Sequence, residues 1–233
     1  MSESQPCGRY ECLRPAQIEA IRRRTPIAYV PWGSLEWHGR HNPIGLDGLK
    51  AHALCKALAE QTGGVVLPTM YAGADTIKPF KGFHHTLDHA ASTVKTLCTE
   101  LLEQLADEQF KVIIVLTGHY SGGQVKAVEE AAHAFAGAHP EVSVWAFPDW
   151  VPHEGVFPPN HAAHGETSYM LQFHGELVDL SQLPPDREAT LEQDGVWGED
   201  PRRASAEAGE AMVRVFLDRA LPRIRELLAR HGG

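Results

Sequence analysis

Lys111-Val112-Ile113-Ile114-Val115-Leu116-Thr117-Gly118-His119-Tyr120-Ser121-Gly122-Gly123-Gln124 is the stretch that decides the fold. Val112 to Leu116 is apolar at every position, the pattern of a central parallel strand buried on both faces. A glycine-rich turn follows, and then a helix is expected from about Val125 to Ala136. Strand, tight turn and helix in this order project one side chain from the carboxyl edge of a sheet, and here that side chain is His119. A phosphate-cradling loop is the competing reading, but Gly122-Gly123 lacks the Lys and Ser/Thr of a P-loop.

The same alternation repeats on either side. Arg14-Pro15-Ala16-Gln17 opens a helix whose end carries Arg22-Arg23-Arg24, charges that suit a helix's negative pole. Pro26 punctuates the start of a strand at Ile27–Val30. Leu49, Leu54 and Leu58 mark a helix over 46–61, Gly63-Gly64 ends it, and Val65-Val66-Leu67 is the next strand. An amphipathic helix runs from Ser92, its candidate N-cap, to Phe110; Val142–Phe147 is a further strand. A C-terminal helix over 205–231 contains Pro222, which is placed to kink it. Four short apolar strands alternating with helices predict one α/β domain over residues 1–233, with a mainly parallel sheet. Ligands in such folds sit beyond the carboxyl ends of the strands.

The chemistry-bearing residues follow those strands. After Ile27–Val30, the segment Pro31–Leu49 carries Glu36, His38, His41 and Asp47. Glu36 and His38 are two apart, so an extended chain points both to one side, and Asp47 is far enough on to fold back over them. Two carboxylates and an imidazole suit a divalent metal; the competing reading is a polar loop with incidental charges. The segment 69–90 is loop-like and holds His84, His85 and His89, for which solvation is favoured over ligation. His161 and Glu166 would stand about 140° apart on one unbroken helix, so they converge only if Glu166 begins the helix. Titratable groups gathering behind several strand ends point to a metal site in one cleft.

Composition bounds the rest. The 233 residues are 43% apolar, enough for a sizeable core. A formal charge of −9 argues against nucleic-acid binding, which needs a basic face. No apolar run reaches the length of a membrane span and Met1 to Arg9 is mostly polar, so neither membrane nor export signal is expected. Cys7, Cys12, Cys55 and Cys98 form no C-x-x-C pair, and Cys55 and Cys98 read as buried free thiols. A cytoplasmic enzyme is the expectation.

Four motifs in order resemble the creatininase (creatinine amidohydrolase) family: G-S-L-E-W-H-G-R-H-N-P-I-G-L-D at 33–47, T-G-H-Y-S-G-G-Q at 117–124, H-A-A-H-G-E-T-S at 161–168 and G-V-W-G-E-D-P-R-R-A at 195–204. The resemblance implies a three-layer αβα domain and two divalent metal ions, commonly zinc, manganese or iron. It implies hydrolysis of a small-molecule amide C–N bond by a hydroxide that bridges the metals. Glu36 and His119 are then expected on one metal, His38 on the other, and Asp47 bridging both, with Glu166 on or behind the second. His161, paired with Glu166, is the expected proton shuttle. Tyr120 and His41 are candidate substrate contacts, Tyr120 being open to a pure packing role. A homo-oligomer, often a hexamer in this family, is also implied.

Two departures bear on the substrate. Creatininase carries a glutamate ligand at the position of Ser121, and many relatives have a P-G-T-type turn where this chain reads F-K-G-F-H-H-T-L at 80–87. Formamide deformylase and mycofactocin-type peptidase are the other activities of the family. A non-catalytic metal- or metabolite-binding domain on the same scaffold is the alternative from another class.

Overall fold

The apolar run after Lys111 forms a strand in which every residue is buried. The rest of the computed structural model, which describes residues 6–232, is layered on both faces of the sheet around it. In chain order the main elements are β1 (Cys7–Arg9), α1 (Pro15–Arg24), β2 (Ile27–Gly33), α2 (Leu46–Thr62), β3 (Gly64–Val66), β4 (Met70–Tyr71), β5 (Gly73–Ala74) and α3 (Ile77–Lys81). They continue with β6 (Asp88–His89), α4 (Ala91–Asp107), β7 (Val112–Thr117), α5 (Gly122–Ala138), β8 (Ser143–Pro148), α6 (His164–His174), α7 (Leu191–Asp194) and α8 (Ala206–Ala229).

One six-stranded sheet has the order β1-β3-β2-β7-β8, with β4 also beside β2. All its pairings are parallel, including the long β2–β7 register from Ile27 opposite Val112 to Trp32 opposite Thr117. Strand periodicity then sorts the core into two halves. Ala28, Val30, Trp32, Ile113 and Val115 face one way, against Ile21 of α1, Val94 and Leu102 of α4 and Val128 and Phe135 of α5. Ile27, Tyr29, Val112, Ile114 and Leu116 face the other, against Leu54 and Leu58 of α2, Tyr169 of α6 and Phe216 and Ile224 of α8. The result is a three-layer α/β fold.

The sheet holds six strands, two more than apolar runs alone predict. β1 is the three-residue C-G-R segment, largely exposed, and backbone pairing with Gly64–Val66 holds it in place. β4 lies in the segment expected to be a loop, which also folds the small β5–β6 ladder and α3. The N-cap of α4 is Ala90, two residues before the expected Ser92. Pro222 sits inside α8, which runs continuously through it. Cys55 and Cys98 are buried free thiols, while Cys7 and Cys12 are exposed.

From β2 the chain crosses through α2 to β3 on one side, and from β7 through α5 to β8 on the other. The order therefore reverses between β2 and β7. That reversal opens a crevice at the carboxyl ends of these two strands, where loops diverge and leave room for a ligand.

Candidate metal centre

The crevice collects its side chains from four strand ends and helix starts. Glu36 and His38 follow β2, His119 lies two residues beyond β7, Asp47 is in the first turn of α2 and Glu166 in the first turn of α6. α6 begins at His164, so His161 lies in the preceding loop and approaches from outside the helix. Gly33 makes the tight entry of α2 possible, because a methyl there would fall 2.2 Å from the backbone nitrogen of Gly48.

Asp47 lies between two imidazoles. Its Oδ1 is 3.2 Å from His38 Nε2 and its Oδ2 is 3.3 Å from His119 Nδ1. Glu36 Oε2 closes the first group at 2.9 Å from His119 Nδ1, and Glu166 Oε2 closes the second at 3.6 Å from His38 Nε2. Each imidazole is oriented from behind: His38 Nδ1 donates to the Glu36 carbonyl at 3.0 Å, and His119 Nε2 to the Ala74 carbonyl at 2.9 Å. Since a carbonyl only accepts, these bonds place the other ring nitrogen of each histidine, lone pair outward, toward the carboxylates. Ser34 Oγ donates to Asp47 Oδ2 at 2.6 Å and stands 3.1 Å from Glu36 Oε2. Ile77 N donates to Glu36 Oε1.

These residues suit a divalent metal. Glu36, Asp47 and His119 form one group whose donor atoms lie within 4.8 Å of one another; His38, Asp47 and Glu166 form a second, and Glu36, His38 and His161 a third. His38 Nε2 makes no well-aligned hydrogen bond although it faces Asp47 and Glu166, which leaves that nitrogen available to a bound ion. Mixed imidazole and carboxylate donors match zinc, manganese or iron.

The charges reinforce this fit. Burial pulls the His38 pKa down, but Asp47, Glu166 and Glu36 outweigh it and lift it to about 9. Burial opposes the charged form of His119 too, and Glu36 and Asp47 raise it well above the usual histidine range. Burial likewise opposes the Asp47 carboxylate, yet His38 and His119 hold its pKa well below the ordinary value. Without a metal, protons on the two rings balance the buried carboxylates. His161 differs: burial, and then the neighbouring His38, push its pKa down. Its Nε2 donates to the Trp37 carbonyl at 2.9 Å, and its ring lies 4.3 Å from that of His38.

Glu166 takes its hydrogen bonds elsewhere than the expected partner His161: from Lys50 Nζ at 2.7 Å and Tyr120 OH at 3.0 Å on Oε1, and from Ala162 N at 2.8 Å on Oε2. The Tyr120 hydroxyl is thereby engaged inside the protein, its single proton shared between Glu166 Oε1 and the Asn160 carbonyl; the residue still lines the cavity. His41 lies outside the cavity, with Nε2 donating to the Ala162 carbonyl at 2.9 Å, so it ties the first motif to the His161 loop. Burial drives its pKa down to about 4. Ser121 Oγ donates to the Ala74 carbonyl at 2.7 Å and sits 3.1 Å from His119 Nε2, behind that ring. His84 and His85 are exposed, and neither lines the cavity or joins a group able to hold an ion.

Lys50, Asp149 and Trp197 belong to the site and were not singled out from sequence. Lys50 shares the Asp47 face of α2 and is 1% exposed, with Nζ 2.9 Å from Asp149 Oδ2. Asp149 directly follows β8, so the strand-end rule that found His119 also points to it. Trp197 exchanges both backbone hydrogen bonds with His161, each 2.8 Å, which pins the His161 loop. A cavity of about 630 Å³ opens over Glu36, Asp47, His119, His161 and Glu166. Its outer wall is apolar, formed by Ile77, Pro79, Phe80, Leu191 and Trp197, with Asp75 as a further carboxylate. Neither lysine nor arginine lines it among the described residues.

Comparison with known proteins points the same way. The sequence profile of the creatininase family, described as creatinine amidohydrolase, matches residues 11–224. Creatinine amidohydrolase of Pseudomonas putida is 27% identical over 231 residues, covering 86% of this chain and 89% of that protein. The mycofactocin precursor peptide peptidase of Mycolicibacterium smegmatis (strain ATCC 700084 / mc(2)155) is also 27% identical, over 88% of this chain and 87% of the peptidase. A solved creatininase mutant of Zn-Zn type superposes with a TM-score of 0.76 at 25% identity, covering 94% of this chain and 97% of its own.

Proposed function

The chain belongs to the creatininase family of amidohydrolases, and from that premise we propose that it hydrolyses a small-molecule amide with two divalent metal ions. The observation that carries the proposal is the position of Asp47, one carboxylate oxygen beside His38 and the other beside His119. Glu36, His119 and Asp47 would hold one ion, and His38, Asp47 and Glu166 the other. A carboxylate suits the shared position because each oxygen can serve one ion. When bound, two such ions supply an acidified water as nucleophile and an electrophile for the amide carbonyl.

The remaining work falls to this chain's own groups. His38 Nδ1 and His119 Nε2, held by backbone carbonyls, keep both rings turned to the carboxylates. His161 is held through Nε2, which leaves Nδ1 free to pass a proton to the departing nitrogen. Its lowered pKa keeps the ring neutral until it takes up that proton. The apolar wall excludes water from one side of the cleft and accommodates the non-reacting part of the substrate.

Within the family, the cavity of about 630 Å³ has room for creatinine and for a larger substrate, and both creatinine amidohydrolase and mycofactocin precursor peptide peptidase are among the relatives this chain matches. Residues 1–233 then act as one functional unit, in a homo-oligomer in the cytoplasm. Among the described residues no helix is long and apolar enough to cross a membrane.

Metal analysis combined with a hydrolysis screen tests the proposal. Zinc- and manganese-loaded protein is presented with creatinine, formamidopyrimidines and short peptides. Two ions per chain, lost in Asp47→Ala, and turnover of at least one amide are expected. No bound metal in the wild type, or unchanged metal in Asp47→Ala, refutes the two-ion site; bound metal without turnover of any amide leaves a binding domain in its place.

A further inference from the structure

Four carboxylates line the cavity, and Asp75 is the one that holds no ion in the mechanism above and pairs with no cation among the described residues. We propose that Asp75 selects the substrate. The amide cleaved here carries a positively charged nitrogen group, a protonated amine or guanidinium, on its non-reacting part, and Asp75 receives that group beside the open rings of Phe80 and Trp197. This role rests on the two-ion reading given above, which accounts for the reacting end of the cleft.

Asp75 is fixed relative to the metal centre. It directly follows β5, where the Ala74 carbonyl accepts from His119 Nε2 at 2.9 Å and the Ala74 amide donates to Gln124 Oε1 at 3.0 Å. Its own Oδ2 accepts from Gly123 N at 2.9 Å, in the first turn of α5, and among the described residues Oδ1 is left without a hydrogen bond. The backbone here is left-handed, with φ 56°, a conformation that Asn adopts as well as Asp. Asn would also cap Gly123, so neither the turn nor the helix explains a full negative charge at this rim. The cations nearby are occupied. Lys78 Nζ donates to the Thr86 carbonyl at 3.1 Å, Lys81 Nζ pairs with Glu192 Oε1 at 3.2 Å, and Lys50 is buried between Asp149 and Glu166. Glu36, Asp47 and Glu166 are taken up by the ions. A substrate entering along Ile77, Pro79 and Leu191 therefore meets one uncompensated charge, and it is negative. Phe80 is 74% exposed and Trp197 52%, and an open ring attracts a cation to its face. A carboxylate beside open rings, with no lysine or arginine on the cavity, favours a nitrogen cation and disfavours an anion.

Calorimetric titration of the zinc-loaded protein tests this without relying on turnover. The probes are alkyl hydroxamic acids, which chelate metal at one end and terminate in an ammonium, a methyl or a carboxylate at the other. Each terminus is offered on a series of chain lengths, so that one of them reaches Asp75. At the best length the ammonium compound should bind about five-fold or more tighter than the methyl compound, the size of an ion pair supported by a cation–π contact. The carboxylate compound should bind weakest. Asp75→Asn, which keeps the turn and the Gly123 contact, should bring the ammonium and methyl compounds within about two-fold of each other. Asp75→Gly also tolerates the left-handed backbone and is titrated alongside, so that one poorly folded variant still leaves the other to read. Equal affinity for the three termini, or tightest binding of the carboxylate compound, overturns the inference and leaves the two-ion site standing. So does an ammonium preference that survives in both variants, the result expected if Asp75 only caps α5. Zinc-loaded protein that binds none of the compounds also overturns the inference alone, whereas a wild type that takes up no zinc overturns the two-ion site and the inference together.

Discussion

Gly118 runs beneath Asp47 so closely that a methyl on its α-carbon would stand 2.1 Å from the Asp47 carbonyl oxygen. The end of the central strand and the first turn of α2 touch backbone to backbone at this point, and the contact sets the height of the Asp47 carboxylate over His119. Gly118→Ala should therefore lift α2 off the strand end. An overpacked core position costs about 1–3 kcal/mol, so a lower melting temperature together with less than one equivalent of tightly bound zinc is expected. A variant with wild-type melting and full zinc would show that this contact does not position Asp47.

Ser34 contributes orientation without charge. Its hydroxyl donates to Asp47 at 2.6 Å and reaches Glu36 at 3.1 Å, so it sets the angle between the two carboxylates. Outer partners of this kind are worth about 10–100-fold in metal affinity. Ser34→Ala should weaken zinc binding by that factor with little change in thermal stability, measurable by chelator competition. Unchanged affinity would assign the hydroxyl to packing.

His161 separates proton transfer from metal binding. If it serves as the shuttle, His161→Ala should lose about 10²–10⁴-fold in turnover while its metal content stays at the wild-type value. Glu36, His38 and His161 also form a group able to hold an ion, and the metal measurement distinguishes the roles: loss of an ion in His161→Ala would make it a ligand.

The metal-free protein should be most stable near pH 6.5. The His38 pKa is raised from 6.5 to about 9, so its contribution is complete below 6.5 and vanishes as pH rises through about 9. The His41 pKa is lowered to about 4, so its contribution is present above 6.5 and is lost as pH falls through about 4. Each limb is worth a few kcal/mol at most, by the size of the shifts. Bound zinc takes the place of the His38 proton and should flatten the alkaline limb only. Melting temperatures of chelator-treated and zinc-loaded protein from about pH 4 to about pH 10 check this; a metal-free protein equally stable at both ends of the alkaline limb would contradict it.

Much of the site was legible because its carriers are local. An apolar run buried on both faces, a glycine turn and a helix start place His119 at a strand end with no knowledge of the rest of the chain. Glu36 and His38, two apart after a strand, and Asp47 at the head of the next helix are readable in the same way. Glu166 fell into place once α6 was seen to begin at His164, leaving His161 in the loop. β1 escaped because C-G-R has no apolar period, and a strand held by backbone pairing with a distant partner leaves little trace in its side chains.

What the sequence by itself determined is the alternation of the main strands and helices and the ends from which the candidate ligating residues emerge. These follow from periodicity and turn chemistry, which act over a few residues. The tertiary structure alone decided which groups are buried together. Lys50 sits among apolar positions of α2 and reads as an ordinary helix lysine, yet packing of α2 against α6 and the end of β8 encloses it with Glu166 and Asp149, 116 residues from the glutamate. Likewise Ser121 stands behind His119 only because Ala74, from a segment far upstream, brings its carbonyl there. The environment of a charge depends on residues that are distant along the chain and adjacent in space, and no local pattern encodes it.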